Sequence, residues 1–462
     1  MTSTEKDVVV LGGGPAGYAS ALRLADLGLS VAIVEAGRVG GTCLHRGCVP
    51  TRAMLEGASI ADAVARKAER WGIHAVVEKV DFARLTAARD EVVERNHTAV
   101  RNHLERARVE LVEGYGRLTG PRSVAVGGLT FTAARAIVLA TGSVLRRFAR
   151  IEPDGTAVIT TDDAFDLDHV PRSALILGGG AVGAEFSQIW NAFGAAVTIL
   201  EREDRLVPFE DEAVGTGLAR ALRRRGIRTV TGIHVADVRT HPGGVEIDVT
   251  RGGKVETHRA EVLLLAAGRT PATAGMGLDD VGVELADGYV AARDADTSVA
   301  GIYAVGDLLA PPAPARANAA FAEGMVAADR IAGRAVNAID YAQVPRVTHG
   351  MIETACVGIS EERARRDGLE PRARMIQLGG LAMGLIAGEP GLAKVVTDGD
   401  GTVVGIHLVA PRASELIAGA TAVTSFEVSA AEAATLVHGH PTLSESLQEL
   451  YLALADRPLH LR

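Results

Sequence analysis

Asp7-Val8-Val9-Val10-Leu11-Gly12-Gly13-Gly14-Pro15-Ala16-Gly17 is the stretch that decides the fold of this chain. A short apolar run stopped by glycines reads as a buried strand, and the residues beyond it form an amphipathic helix to about Leu27. A second strand, Ser30 to Val34, ends on Glu35, eighteen residues after Gly17. Strand, Gly-x-Gly-x-x-Gly turn, helix, strand and terminal acid together make the dinucleotide fingerprint. The glycines Gly12, Gly14 and Gly17, with Pro15 and Ala16 between them, admit a pyrophosphate to the helix N-terminus, and Glu35 accepts ribose hydroxyls.

The arrangement returns some 165 residues on. Ala174-Leu175-Ile176-Leu177 is the strand, Gly178-Gly179-Gly180-Ala181-Val182-Gly183 the turn, a helix follows to about Phe193, and Ala196 to Leu200 is closed by Glu201. Two such units imply two dinucleotides and two Rossmann-like domains. Glu201 favours NAD over NADP, because a 2′-phosphate would be repelled there; Arg202 and Arg205 weigh on the other side.

At 462 residues the chain is long enough for about three domains with real cores. A net charge of −9 argues against nucleic acid or an anionic membrane as partner, since both select a basic face. No apolar run reaches the ~18 residues of a membrane span. Six mostly polar residues before the first strand leave no room for a secretory signal, so a cytoplasmic protein is expected. Lasting structural disulfides are uncommon there and catalytic ones are the usual exception.

Between the two fingerprints, helices are expected over about Ser59 to Trp71 and Asp81 to Arg106, the second with Phe82, Leu85, Val92, Val93, Val100 and Leu104 as a core stripe. The strand Arg135 to Ala140 runs into Thr141-Gly142, and Val262 to Ala266 runs likewise into Gly268-Arg269. Gly301 to Asp307 is another strand ending in an acid, followed by a helix from about Ala317 to Ala332. Asp307 suits a cofactor hydroxyl or the cap of a turn. From about Asp340 short alternating segments, Gly391 to Thr397 and Thr402 to Leu408, indicate an antiparallel sheet, with helices near Ala413 to Val423 and Ser429 to Val437.

Two of the three cysteines stand in Gly40-Gly41-Thr42-Cys43-Leu44-His45-Arg46-Gly47-Cys48-Val49-Pro50-Thr51-Arg52. A pair at this spacing can close a small disulfide ring and open it again, which suits a redox switch; a structural disulfide or two incidental thiols are the other readings. Metal ligation fits poorly, because an all-cysteine iron-sulfur or zinc site would want about four ligands and only Cys356, which reads as core, could be added. His438-Gly439-His440-Pro441-Thr442-Leu443-Ser444-Glu445, taken alone, would pass for surface.

These pieces in this order resemble the pyridine nucleotide-disulfide oxidoreductases, and within them the members that oxidise dihydrolipoyl groups. The resemblance covers essentially the whole chain and is most specific at Gly-Gly-Thr-Cys…Gly-Cys-Val-Pro and at His-Pro-Thr-Leu-Ser-Glu. It implies an α/β fold of two Rossmann-like domains, for FAD and NAD, plus a C-terminal α+β dimerisation domain. The implied boundaries are 1–147 and 268–338 for FAD, 148–267 for NAD and 339–462 for dimerisation. FAD would lie on the first fingerprint, with Glu35 on the adenosine ribose and Asp307 on the ribityl chain, and NAD on the second. Gly41, Thr42, Arg52, Thr141, Gly142, Glu185, Gly268 and Arg269 are the further cofactor residues.

By the same resemblance Cys48 is the sulfur nearer the flavin, Cys43 exchanges with substrate, and His440, oriented by Glu445, is the base for the dithiol. Dihydrolipoamide or a lipoyl domain would be the substrate. The chain would be a homodimer whose C-terminal segment completes the partner's site, with a 2-oxo-acid dehydrogenase complex as a possible assembly. Another NAD(P)H-dependent disulfide reductase, or a flavoprotein kept for complex assembly, are the alternatives. The chain departs from the family at Arg52, where lysine is usual, and an Arg52–Glu185 ion pair is expected to stand in for the family's pair. His45-Arg46, Arg316-Ala317-Asn318-Ala319 and Thr348 to Glu353 depart as well.

Overall fold

The structure, a computed structural model, describes residues 3–148, 151–311 and 313–461. It divides into two compact units, one of Met1–Pro50, Ala87–Arg146 and Gly268–Tyr341, the other of Thr51–Thr86, Arg147–Ala267 and Ala342–Arg462.

The first unit is built on a nine-stranded sheet. Strand Ser3–Leu11 lies at its centre, parallel to Val31–Glu35 on one side and to Leu129–Leu139 on the other. Val8 and Val10 point into one hydrophobic cluster, Val9 and Leu11 into another on the opposite face. This two-sided burial is why the strand reads as an unbroken apolar run rather than an alternating one. The strand starts four residues earlier than the apolar run because its pairing with Leu129–Leu139 extends back to Ser3 opposite Thr130.

The second unit holds a five-stranded parallel sheet in the order Arg228–Val230, Ala196–Leu200, Ser173–Leu177, Val262–Leu265, Val158–Thr160. It also holds a three-stranded antiparallel sheet over 234–260 and a five-stranded antiparallel sheet from Arg346–Thr348 to Val403–Ala410. Trp190, Phe186 and Ile199 from the parallel sheet and its helix share one cluster with Met54, Met351 and Cys356. Cys356 is fully buried in it, as expected of a core thiol. Among the described residues no helix is long and apolar enough to cross a membrane.

Three expectations are corrected. The helix placed over Ser59 to Trp71 runs instead over Cys48–Asp62, followed by a π-turn at Ala63–Lys67 and a 3₁₀ turn at Glu69–Trp71. Pro50 does not prevent the earlier start, because a first-turn residue has no intrahelical acceptor for the N–H that proline lacks. In helix Phe82–Arg106 the stripe holds for Phe82, Val93 and Leu104, but Val92 is exposed: neighbours on a helix are about 100° apart, and Val93 takes the inward place. The helix expected over Ser429 to Val437 is only Ala430–Ala433, opened by a Ser429–Glu432 capping box, and Leu436 and Val437 stand exposed.

A buried ionic cluster joins the parallel sheet to the C-terminal one. Both carboxylate oxygens of Asp211 lie 2.9 Å from Lys394 Nζ, which also reaches Glu361 at 2.7 Å. Asp211 is fully buried and also accepts the amide of Ala213, capping helix Glu212–Arg224. Burial pushes the Asp211 carboxyl up, but His407 and Lys394 outweigh it and hold it below the usual carboxylate range. Removing one partner of such a pair strands the other's charge in the interior. Lys394→Met is therefore expected to cost about 3–5 kcal/mol in denaturant unfolding, and a combined Lys394→Met, Asp211→Asn variant to recover part of that loss.

Candidate functional site

Each glycine fingerprint makes a cradle at a strand end. In the first, Gly12 adopts φ +101°, and a Cβ there would stand 2.3 Å from the Ala140 carbonyl oxygen. A Cβ on Gly17 would stand 1.9 Å from the Gly12 oxygen, so the helix Pro15–Asp26 meets the strand only because no side chain intervenes. Gly14 differs: the nearest atom to its added Cβ is Gly41 Cα at 4.0 Å. The space in front of Gly14 is open, and the helix that begins there has no side-chain cap on its first-turn amides. A pyrophosphate fits this cradle, since it brings the acceptors those amides lack.

The second fingerprint repeats the first. Gly178 has φ +118° against the Ala266 carbonyl, a Cβ on Gly183 would lie 1.9 Å from the Gly178 oxygen, and nothing lies within 4 Å of one on Gly180. Helix Ala181–Ala192 is likewise without a side-chain cap, and Val182 is partly exposed in its first turn. The strand-end acids behave alike. Glu35 accepts from Gly13 N at 2.6 Å and Gly37 N at 2.7 Å, Glu201 from Gly179 N at 2.5 Å and Glu203 N at 2.8 Å. Arg202 is paired with Glu203 at 2.7 Å, and Arg205 with Glu362 at 3.3 Å.

The cysteine segment is wired to the first cradle. Gly40 N donates to Gly13 O at 2.8 Å, and Gly40 and Gly41 take φ values of +106° and +59° to enter helix Gly41–Arg46. That helix carries Cys43 and breaks at Gly47, and Cys48 opens the next, Cys48–Asp62. Both cysteines are thiols in this structure, Cys43 half-buried and Cys48 exposed. The hydrogen bond to Cys48, with burial second, holds the Cys43 thiol well above the ordinary range.

Other expected residues gather around Ser143, which the sequence did not single out. Its Oγ donates to Asp307 at 2.7 Å and accepts from Arg269 Nε at 2.7 Å, and Arg269 also reaches Thr42 Oγ1 at 3.5 Å. Thr141 Oγ1 donates to Ala272 O at 2.8 Å. Gly142 at φ +72° and Gly268 at φ +107° form the turns flanking the short ribbon of Ser143–Leu145 and Arg269–Pro271. Ser143 follows Thr141-Gly142 directly, and its place as a polar residue at a strand end was the available signal.

Arg52, expected to pair with Glu185, has a buried carboxylate as a partner. Arg52 pairs with Glu353 at 3.0 Å, while Glu185 accepts the backbone amide of His349 at 2.9 Å. Glu353 is buried; burial pushes its carboxyl up, and His349, Ser414 and Arg52 together bring it below the usual range. A buried carboxylate of this kind draws the nearest mobile cation, and here that is the guanidinium.

His440 and Glu445 are brought together. His440 Nδ1 lies 2.8 Å from Glu445 Oε1, and Oε2 of the same carboxylate accepts Thr442 N at 2.8 Å. The bond from His440, then that from Thr442, holds Glu445 below the usual carboxylate range. With Nδ1 committed to the carboxylate, Nε2 is the nitrogen left for proton exchange. The imidazole is three-quarters exposed on this chain.

Comparison with known proteins follows the same lines. The pyridine nucleotide-disulphide oxidoreductase family matches residues 6–324, and the dimerisation domain of that family matches 344–451. A dihydrolipoyl dehydrogenase of Bacillus subtilis is 31% identical over 475 aligned residues, covering 99% of this chain and all of its own. One of Thermus scotoductus is 36% identical and covers 98% of both. Among solved structures, LpdA of Mycobacterium tuberculosis superposes with a TM-score of 0.87 at 26% identity, over 98% of this chain and 99% of its own.

The open and closed glycines predict opposite outcomes. Gly180→Val is expected to fold as the parent does and to lose about tenfold or more in dinucleotide affinity by calorimetric titration. Gly183→Val, whose side chain has no room, is expected not to fold, as circular dichroism would register.

Proposed function

The chain belongs to the pyridine nucleotide-disulphide oxidoreductases, and on that premise we propose that it is an NAD-linked dihydrolipoyl dehydrogenase. The observation that carries this reading is the Cys43–Cys48 pair, within hydrogen-bonding reach on two successive helices and wired to an open dinucleotide cradle. The balanced reaction takes a dithiol and NAD⁺ to a cyclic disulfide, NADH and one proton.

The residues divide the work as follows. His440, held by Glu445 through Nδ1, takes the proton from the dithiol at Nε2. The substrate thiolate attacks the Cys43 sulfur of the oxidised pair, and Cys48 leaves as the thiolate. The second substrate thiol then displaces Cys43, which departs carrying the proton that the reduced pair retains. FAD in the first cradle supplies the two-electron acceptor between the thiols and the nicotinamide. Gly12, Gly14 and Gly17 give FAD a backbone without side chains, Glu35 and Asp307 offer carboxylates to its hydroxyls, and Arg52 brings a positive charge one helical turn beyond Cys48. Gly178, Gly180, Gly183 and Glu201 do the same for NAD. The engagement of Arg202 and Arg205 by Glu203 and Glu362 supports NAD over NADP, since neither guanidinium stands uncommitted for a 2′-phosphate.

We read 1–147 with 268–338 as the FAD-binding portion, 148–267 as the NAD-binding portion and 339–462 as the part that forms a homodimer. Exposed Phe426, Leu436 and Val437 in that last portion support a dimer contact. A lipoyl domain, as borne by 2-oxo-acid dehydrogenase complexes, would present the dithiol, in the cytoplasm.

The FAD-loaded protein is expected to reduce NAD with dihydrolipoamide and to do so far less readily with NADP. Cys48→Ser should abolish turnover, and His440→Gln should lower kcat by about 10²–10⁴. Turnover confined to another disulfide, such as glutathione disulfide with NADPH, would move the protein to a different member of its family.

A further inference from the structure

Between the two cysteines lies His45, a residue the reaction above does not use. Its Nε2 is 2.9 Å from the carbonyl oxygen of Val39. Nδ1 of His97, from helix Phe82–Arg106, is 3.0 Å from the same oxygen. The two rings meet edge to face with centroids 5.2 Å apart. A carbonyl only accepts, so both ring nitrogens donate and one oxygen uses both of its lone pairs. Burial is the largest influence on His45 and, with Arg38 and His97 close by, keeps its ring below the ordinary imidazole range. Nε2 of His45 is thus the nitrogen that carries a proton toward Val39.

Val39 is the residue just before the Gly40-Gly41 turn. Helix Gly41–Arg46 is thus hung by its fifth residue from the carbonyl that precedes its own first turn, and His97, itself buried, ties that carbonyl to a 25-residue helix. The anchor falls inside the ring that a Cys43–Cys48 bond would close. It also lies on the near side of the break at Gly47, where φ −145° and ψ −113° end the helix. The short segment bearing Cys43 is also held by the Gly40–Gly13 bond, by Arg269 at Thr42 Oγ1 and by the burial of Leu44.

We propose that His45 and His97 are positioning residues that hold the dithiol in ring-closing geometry, so that the pair favours the disulfide more than it would without them. The inference rests on the redox reading of the two cysteines. Closing the ring removes two protons and two electrons from two thiols and forms one S–S bond. A thiol already held against its partner loses less freedom on closure, which raises its effective concentration there.

The test equilibrates the FAD-loaded protein with reduced and oxidised dithiothreitol, the latter taking up the electrons as its own disulfide opens. Acid quenching, alkylation and mass spectrometry then count thiols, with buried Cys356 as a thiol common to both states. His45→Ala and His97→Ala are each expected to move the equilibrium about tenfold toward the dithiol, which for two electrons is about 30 mV. His97→Gln, which keeps an N–H donor, should move it less. Equilibria within twofold of the parent in both alanine variants would overturn the proposal. Should His45→Ala fail to fold, His45→Phe, which keeps the ring and removes the donor, provides the same comparison beside His97→Ala. If the parent itself shows three alkylated thiols under every condition, the redox reading fails first and the inference falls with it.

Discussion

Everything at the two cradles depends on how closely a helix can approach the end of the strand that precedes it. At Gly17 and Gly183 the added Cβ would lie 1.9 Å from the carbonyl of the first glycine of the same turn, far inside van der Waals contact. With that contact available, the first-turn amides of each helix face open space beside Gly14 and Gly180. The strand-end acids Glu35 and Glu201 then bond the amides of Gly13 and Gly179. In the first unit the effect travels further, because Gly13 O receives Gly40 N and so sets where the cysteine segment begins. One steric allowance thereby positions the cradle and the start of the segment that bears the reactive sulfurs.

The charges follow a different logic, in which burial decides who pairs with whom. Asp211, with no exposed surface, draws Lys394; Glu353, almost as buried, draws Arg52. Carboxylates that keep some exposure, such as Glu445, are organised instead by hydrogen bonds to His440 and Thr442. The two settings serve different ends. A buried carboxylate that has lost its water must find a cation or lose its charge, whereas one that keeps some exposure can orient an imidazole while both remain accessible.

Much of the fold was legible in the chain. The strands around both fingerprints, the long helix ending at Arg106 and the antiparallel C-terminal sheet lie close to where apolar pattern and glycines place them. The errors have identifiable causes. The helix expected from Ser59 begins already at Cys48, because a first-turn proline loses nothing there. Counting Val92 and Val93 together ignored the angle between neighbours on a helix. Continuing a helix to Val437 trusted apolar residues that are exposed on this chain. In the candidate site, the glycines, the acids, the cysteine pair and the His440–Glu445 couple could be named from sequence, whereas Ser143, His97 and the Glu353 partner of Arg52 could not.

The sequence by itself determined which local conformations were possible: glycines where no side chain fits, apolar runs where strands are covered on both faces, and two cysteines near enough along the chain to close a ring. These are short-range matters, settled by sterics and by burial pattern within a few residues. Which distant groups meet was decided only by the tertiary structure. Arg52 reaches Glu353 across 301 positions of sequence, and His45 shares a carbonyl with His97. Such partners are selected by which buried acceptor lies within a side chain's reach once the chain has packed, and a linear pattern does not contain that distance.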